Sequence, residues 1–184
     1  MPTALTPPRS HTVTIETHGC KLNQADSLNL ASEFSDMNFR VVDKAESPDV
    51  YLINTCTVTH VADGKARKAL RAARRRNPDA LIVVTGCYAQ RAPERLLELN
   101  EVDLVFGNTS KGSLVEQIVR SKKISLGPCA TGVETRTSSF SMVRTRAMVK
   151  IQEGCDQVCA YCIVPKVRGR ERSIPASVIV RKIN

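Results

Sequence analysis

Short apolar blocks and longer amphipathic stretches alternate along the first two thirds of the chain, which is typical of strands and helices in turn. The stretch 11–19 alternates β-branched and polar residues, which predicts a strand. The stretches 49–55 and 80–86 are almost wholly apolar, as strands covered on both faces of a sheet must be. Shorter strands are predicted at 39–43 and 102–108.

Helical spacing of apolar residues fills the intervals between these strands. Asn23 is predicted to cap a helix over 24–37, and further helices are predicted over 60–76, 92–100 and 110–121. Because strand and helix alternate repeatedly and the strands are of the buried type, we expect an α/β fold. Its sheet should be open and mostly parallel, with helices on both faces.

Changes in composition divide the chain into four parts. Residues 1–10 are polar and Pro-rich and should form a disordered tail, and residues 11–126 should form the α/β domain. Residues 127–143 are rich in Gly, Ser and Thr, which predicts a linker. Residues 144–184 begin with a strand and end within a helical pattern, so we expect only the start of a second, truncated domain.

Composition narrows the class of protein. The chain has 184 residues, of which 42% are hydrophobic, so it has enough apolar residues for a core. Its net charge of +9 favours an anionic partner, with nucleic acid first. No signal peptide and no apolar run of about 20 residues is present, so we expect a cytoplasmic chain with no membrane span. In that compartment an odd number of cysteines, here seven, indicates metal binding or catalysis rather than disulfides.

The helix predicted at 60–76 carries a run of basic residues. This run either forms a solvated face or contacts nucleic-acid phosphates. The candidates for phosphate contact are Lys65, Arg67, Lys68, Arg71, Arg74 and Arg75.

Three distant cysteines occupy equivalent places in the predicted fold. Cys20, Cys56 and Cys87 each lie just beyond the carboxyl end of a predicted strand. Such ends meet at one edge of a parallel sheet, where ligands bind, and Gly19 and Gly86 permit tight turns there. Each cysteine is either a small buried apolar residue or a metal ligand, and three together favour an iron–sulfur cluster with one iron free.

A second trio, Cys155, Cys159 and Cys162, has the spacing C-x3-C-x2-C. The spacing also fits one face of a buried helical turn, or a zinc site with a remote fourth ligand. Gly154 and Pro165 on either side favour a loop. Three thiolates in a loop suit a 4Fe-4S cluster best. Cys129 has no partner pattern and is expected to be a spare thiol.

With an aromatic residue before its last cysteine, the second trio resembles the signature of radical S-adenosylmethionine enzymes. The wider motifs THGCKLNQADS, INTCTVT, VTGCYAQ, VFGNTSKG and RTRAMVKIQEGCDQVCAYCIVPKVRGRERS resemble the methylthiotransferases of that class. Residues Lys21, Asn23 and Gln24 are most similar to the branch that acts on threonylcarbamoyladenosine, 3′ of the anticodon in tRNA. The alternatives are the isopentenyladenosine branch, the ribosomal-protein branch, and a fragment that binds metal and RNA without catalysis.

The resemblance implies two 4Fe-4S clusters, S-adenosyl-L-methionine as cofactor, tRNA as partner and a flavodoxin- or ferredoxin-like electron donor. It implies that the first trio holds an auxiliary cluster that supplies the methylthio group. The second trio would hold the cluster that cleaves S-adenosylmethionine to a deoxyadenosyl radical. Arg168 and Gly169 would lie in the motif that binds the cofactor. Residues 144–184 would be the first strand–helix unit of a radical barrel, whose full length is about 250 residues.

Overall fold

The computed structural model describes residues 11–121 and 148–183. The predicted tail at 1–10, the linker at 127–143 and Cys129 lie outside these ranges. The described residues contain a five-stranded sheet and a separate pair of short strands.

All five strands of the large sheet run parallel, in the spatial order β2-β1-β3-β4-β5. They are β1 (Thr12–Thr17), β2 (Arg40–Val41), β3 (Val50–Thr55), β4 (Leu81–Gly86) and β5 (Leu104–Phe106). Every residue of β3 and β4 is buried, as their apolar sequences predict. The order reverses between β1 and β3, and ligands of such sheets bind at the carboxyl ends of the strands on either side of that point.

Helices pack on both faces of this sheet. They are α1 (Lys21–Asp36), α2 (His60–Arg76), α3 (Cys87–Arg91), α4 (Pro93–Leu97) and α5 (Leu114–Arg120), the last preceded by a 3₁₀ helix over Asn108–Ser113. One core cluster joins α1 and α5 to the sheet, and a second joins α2, α3 and α4 to its other face. The predicted fold class, an open parallel α/β sheet covered on both faces, is confirmed.

Three local predictions differ from the structure. Asn23 does not cap a helix: α1 begins at Lys21 after Cys20, and Asn23 lies buried in its first turn. The short helix α3 was not predicted, because its five residues are too few for a recognisable apolar period. The helix predicted over 110–121 is 3₁₀ in its first part, where Gly112 weakens the α-helical preference.

The second described range forms a small unit that lies against the first. It contains β6 (Gln152–Glu153), α6 (Val164–Arg168), β7 (Arg172–Ser173) and α7 (Ala176–Ile183). Of the strand predicted to begin at residue 144, the described residues form only Gln152–Glu153, which pairs antiparallel with β7. Helix α6 packs against α3, so this unit reaches the edge of the sheet where Cys87 lies. Among the described helices, none is long and apolar enough to cross a membrane.

Candidate metal centre

The first cysteine trio lies at the carboxyl ends of three neighbouring strands. Strand β3 lies between β1 and β4, with Thr17 opposite Asn54 and Thr55 opposite Gly86. Cys56 and Cys87 follow directly after that last pair, and Cys20 follows β1 by three residues. The parallel register therefore brings these chain-distant cysteines to one edge, beside the point where the strand order reverses.

Two glycines allow the turns before these cysteines, as predicted. Gly19 and Gly86 have φ angles of +107° and +99°, which side chains rarely adopt. A Cβ on Gly19 would lie 2.6 Å from Cys56 Cβ and 2.9 Å from its Sγ. A Cβ on Gly86 would collide with the backbone of Thr55. The absence of a side chain at Gly19 is therefore what lets the Cys20 turn approach Cys56.

The three sulfurs differ in their exposure. Cys20 is exposed at the N-cap of α1, whereas Cys56 and Cys87 are buried. Cys87 is the first residue of α3. Both helix amino termini favour a negative charge, which suits a thiolate. Cys56 lines a cleft of 330 Å³. The other lining residues of this cleft are His18, Gly19, Thr59, Val61, Ala62 and Lys65.

Buried hydrogen bonds fix the backbone around Cys56 and Cys87. The Thr57 hydroxyl donates to Asp63 Oδ1 at 2.8 Å, and Arg91 donates to the other oxygen of the same carboxylate. This carboxylate thus joins the turn after Cys56 to the end of α3, which begins at Cys87. The Asp63 carboxylate therefore fixes both the turn that follows Cys56 and the helix that begins at Cys87.

Asn108 is a sulfur contact that sequence reasoning missed. Its amide nitrogen lies 3.7 Å from Cys87 Sγ and donates to the Val167 carbonyl at 2.7 Å. Two further asparagines near the first trio, Asn54 and Asn23, bond other groups. Asn54 donates to the Asn23 carbonyl and to Ser27. Asn23 donates to the carbonyls of His18 and Thr55, so its side chain joins the turn before α1 to the end of β3.

The second trio lies in an irregular loop between β6 and α6, as the flanking residues predicted. Cys159 is exposed, and Cys155 and Cys162 are intermediate. The Cys162 amide donates to the Cys159 carbonyl at 3.1 Å, and the Cys155 amide donates to the Gly169 carbonyl at 3.2 Å. Gly169 ends α6 with φ +74°, and so it shapes this loop through its backbone.

Both trios offer three thiols and suit an iron–sulfur cluster by donor type. Within residues 11–121 and 148–183, no three His, Cys, Asp or Glu side chains converge as ligands of one metal ion do. Each cysteine of a cluster binds a different iron, so the sulfurs surround the cluster instead of converging on a single ion. By number of donors, three thiols suit a cluster with one iron free, whereas a zinc site needs a fourth ligand from elsewhere in the chain.

A group of buried charges lies beside the first trio, and we call it the Asp26 ion cluster. It consists of Asp26, Lys111, Lys150, Glu153 and Arg168. Asp26 accepts from Lys111 and Lys150 at 2.8 Å and from Arg168 at 3.2 Å. Burial acts to raise the pKa of Asp26, but Lys111 and Lys150 hold that pKa below its usual value. Burial lowers the pKa of Lys111, against the attraction of Asp26.

Sequence reasoning missed this cluster except for Arg168. Its members come from α1, the 3₁₀ helix and the second unit, and Arg168 is 142 residues from Asp26. Local patterns carry no signal of contacts at that separation. The cluster joins the second unit to the first.

The basic residues of α2 divide into two groups. Arg74 donates to the carbonyls of Pro78, Ala80 and Glu101 and to the Asp103 carboxylate, while Arg67 donates to the Tyr88 hydroxyl. These two arginines flank the buried face and hold the helix in place, so they are poor candidates for phosphate contact. Among the predicted phosphate contacts, the exposed residues are Lys65, Lys68, Arg71 and Arg75, of which Arg71 lies 3.7 Å from Glu101.

Comparisons with known proteins support the resemblance read from the motifs. The chain is 41% identical over 180 residues to the threonylcarbamoyladenosine tRNA methylthiotransferase MtaB of Aquifex aeolicus, covering 93% of the chain and 43% of that protein. It is 35% identical to the protein of the same name from Bacillus subtilis, covering 93% and 40%. It is 34% identical to the tRNA-2-methylthio-N(6)-dimethylallyladenosine synthase of Dictyoglomus thermophilum, covering 92% and 40%.

The chain thus spans about two fifths of the length of these curated relatives. Residues 12–107, just over half of the chain and nearly the whole five-stranded sheet unit, match the model of the uncharacterized protein family UPF0004. All three cysteines at the strand ends fall within the match. The chain belongs to the UPF0004 family.

Proposed function

We propose that the chain takes part in the methylthiolation of tRNA. The reaction would add a 2-methylthio group to threonylcarbamoyladenosine, 3′ of the anticodon, by radical S-adenosylmethionine chemistry. The observation that carries the proposal is the position of Cys20, Cys56 and Cys87 just beyond the carboxyl ends of three neighbouring strands. The names of the relatives from Aquifex aeolicus and Bacillus subtilis support the choice of substrate.

Two groups of thiols would hold the cofactors. The first trio would bind one 4Fe-4S cluster, and Cys155, Cys159 and Cys162 would bind the other. When bound, these groups would supply the electron for cleavage of S-adenosylmethionine and the sulfur that is transferred. The electron would come from a flavodoxin- or ferredoxin-like donor.

The residues of the chain would orient these groups. Cys20 lies at the N-cap of α1 and Cys87 is the first residue of α3, so these two helices would fix the positions of two of the three ligands. The cleft of 330 Å³ beside Cys56 leaves open space next to a ligand sulfur. Lys65 lines the same cleft and belongs to the exposed basic face of α2, where an RNA backbone would approach. The predicted role of Arg168 and Gly169 in binding S-adenosylmethionine stays a prediction.

A second candidate substrate is dimethylallyladenosine in tRNA, the isopentenyladenosine alternative. The relative from Dictyoglomus thermophilum, which is 34% identical to the chain, is named for that nucleoside. The same two trios would serve either reaction, and the resemblance at Lys21, Asn23 and Gln24 favours threonylcarbamoyladenosine.

Mass spectrometry of tRNA nucleosides tests the proposal. Cells that lack their own enzyme and express the protein containing this chain should accumulate methylthiolated threonylcarbamoyladenosine. A Cys56→Ala variant should accumulate none, whereas Cys129→Ala should behave as wild type because Cys129 is expected to be a spare thiol. Methylthiolation of dimethylallyladenosine instead would favour the second candidate. If Cys56→Ala still accumulates the methylthiolated nucleoside, the proposed role of the first trio is refuted.

A further inference from the structure

Arg168 connects the second cysteine trio to the first. It follows Cys162 by six residues and ends α6, yet its side chain is only 2% exposed. Its guanidinium donates to Asn23 and Asp26, both in α1, and to Glu153 at 2.8 Å. Two of these three partners belong to the helix that begins directly after Cys20.

The backbone beside Arg168 is fixed by a residue that also contacts a sulfur of the first trio. Asn108 donates to the carbonyl of Val167 at 2.7 Å and lies 3.7 Å from Cys87 Sγ. Helix α6 packs against α3, whose first residue is Cys87. The end of α6 is therefore held at the sulfur of Cys87 by both packing and hydrogen bonding.

The Asp26 ion cluster has an excess of positive charge. Its three cations, Lys111, Lys150 and Arg168, face two carboxylates, and none of the five side chains is more than 14% exposed. A buried charge is costly unless an opposite charge lies beside it. Burial opposes the charge of Arg168, but Cys87, Asp26 and Glu153 hold the pKa of Arg168 above its usual value. A cysteine that ligates a cluster does so as a thiolate, so Cys87 would supply the balancing negative charge once the cluster is bound.

We propose that Arg168 is a positioning residue for the cluster held by the first trio, whose charge it tunes through Cys87. This inference rests on the proposed function, since it assumes that Cys20, Cys56 and Cys87 bind an iron–sulfur cluster. The inference gives Arg168, which lies in the motif of the second trio, a role at the cluster held by the first trio. One arginine would then couple the docking of the second unit to the electronic properties of the first cluster.

A reduction potential reports this role directly. Positive charge and hydrogen bonds at the cysteine sulfurs stabilise the reduced, more negative form of a cluster and raise its potential. Loss of the Arg168 charge should therefore shift the potential to more negative values. Loss of the Asp26 charge leaves the excess cations uncompensated and should shift it to more positive values. A merely structural role for both residues would not produce shifts of opposite sign.

The experiment uses the 184-residue chain with Cys155, Cys159 and Cys162 all replaced by Ala, so that one cluster remains. After anaerobic reconstitution, a redox titration followed by absorbance gives the midpoint potential. Circular dichroism confirms the fold of each variant. Arg168→Gln should shift the potential negative and Asp26→Asn should shift it positive. Arg170→Gln removes the same charge from an exposed position in the same segment and should leave the potential unchanged.

Arg168→Lys covers the case in which Arg168→Gln does not fold. It keeps the positive charge, so it should fold and shift the potential less than Arg168→Gln, in the same direction. A potential equal to wild type in the folded Arg168 variants, or shifts of one sign in the Arg168 and Asp26 variants, would overturn the inference. Failure of the parent chain to bind any cluster would instead overturn the proposed function.

Discussion

Replacing Asp26 by Asn removes the negative centre of the buried ion cluster with almost no change of shape. Asp26 is 4% exposed and accepts hydrogen bonds from Lys111, Lys150 and Arg168. An Asn at this position keeps one acceptor oxygen but leaves three buried cations facing only Glu153. Removal of one partner from a buried ion pair costs about 3–5 kcal/mol.

Domains of ordinary size have a free energy of unfolding of about 5–15 kcal/mol, so a loss of 3–5 kcal/mol is readily measured. Urea is the suitable denaturant because it does not screen charges. With a slope of about 2 kcal/mol per molar urea, the unfolding midpoint of Asp26→Asn should fall by about 2 M.

Asp36→Asn is the matched control for this measurement. Asp36 is exposed in the last turn of the same helix, so its replacement should change stability by no more than about 0.5 kcal/mol. If Asp26→Asn unfolds within about 1 kcal/mol of wild type, the ion cluster does not hold the two units together as described.

Three further outcomes follow from the structure. Gly19→Ala should lower the free energy of unfolding by about 2–4 kcal/mol in thermal or urea unfolding. In the control Gly64→Ala, the added Cβ meets no atom within 4 Å, so the free energy of unfolding should rise by up to about 1 kcal/mol. Equal effects of the two changes would contradict the close approach at Cys56. Hydrogen bonds from His18 and Tyr51 lower the pKa of Glu16 to about 2 against the effect of burial, so its stabilisation is full above about pH 4.5 and is lost towards pH 2. Glu16→Gln should therefore cost about 2–3 kcal/mol at pH 7 and almost nothing at pH 2, and a pH-independent cost would contradict this. The double variant Lys68→Ala, Arg75→Ala should bind tRNA more weakly, and the dependence of its binding on salt should fall by the equivalent of about two phosphate contacts. Filter binding at several salt concentrations measures both effects. An unchanged salt slope would show that α2 does not contact the RNA.

The sheet could be predicted from sequence because its signals are local. The apolar runs that became β3 and β4 and the helical period at 60–76 depend only on neighbouring residues. The placement of Cys20, Cys56 and Cys87 at one edge also followed, since a parallel sheet brings the carboxyl ends of its strands together.

The ion cluster could not be predicted, because its bonds join residues up to 142 positions apart. Asn23 illustrates the same limit of local patterns. Its residue type and position favour a cap, but its side chain bonds Thr55, 32 residues away, and Arg168, 145 residues away. Likewise, helical period places Arg74 on a basic face, and only the contacts with Ala80 and Asp103 reveal it as a structural residue.

The iron content of the reconstituted chain tests the central claim, that cysteines from three strand ends hold one cluster. Anaerobic reconstitution of the wild-type chain should yield about eight irons, as two 4Fe-4S clusters contain. Cys56→Ala should retain about four irons, while Cys129→Ala should retain about eight. Retention of about eight irons by Cys56→Ala, or a single zinc ion and no iron in the wild-type chain, would contradict the account.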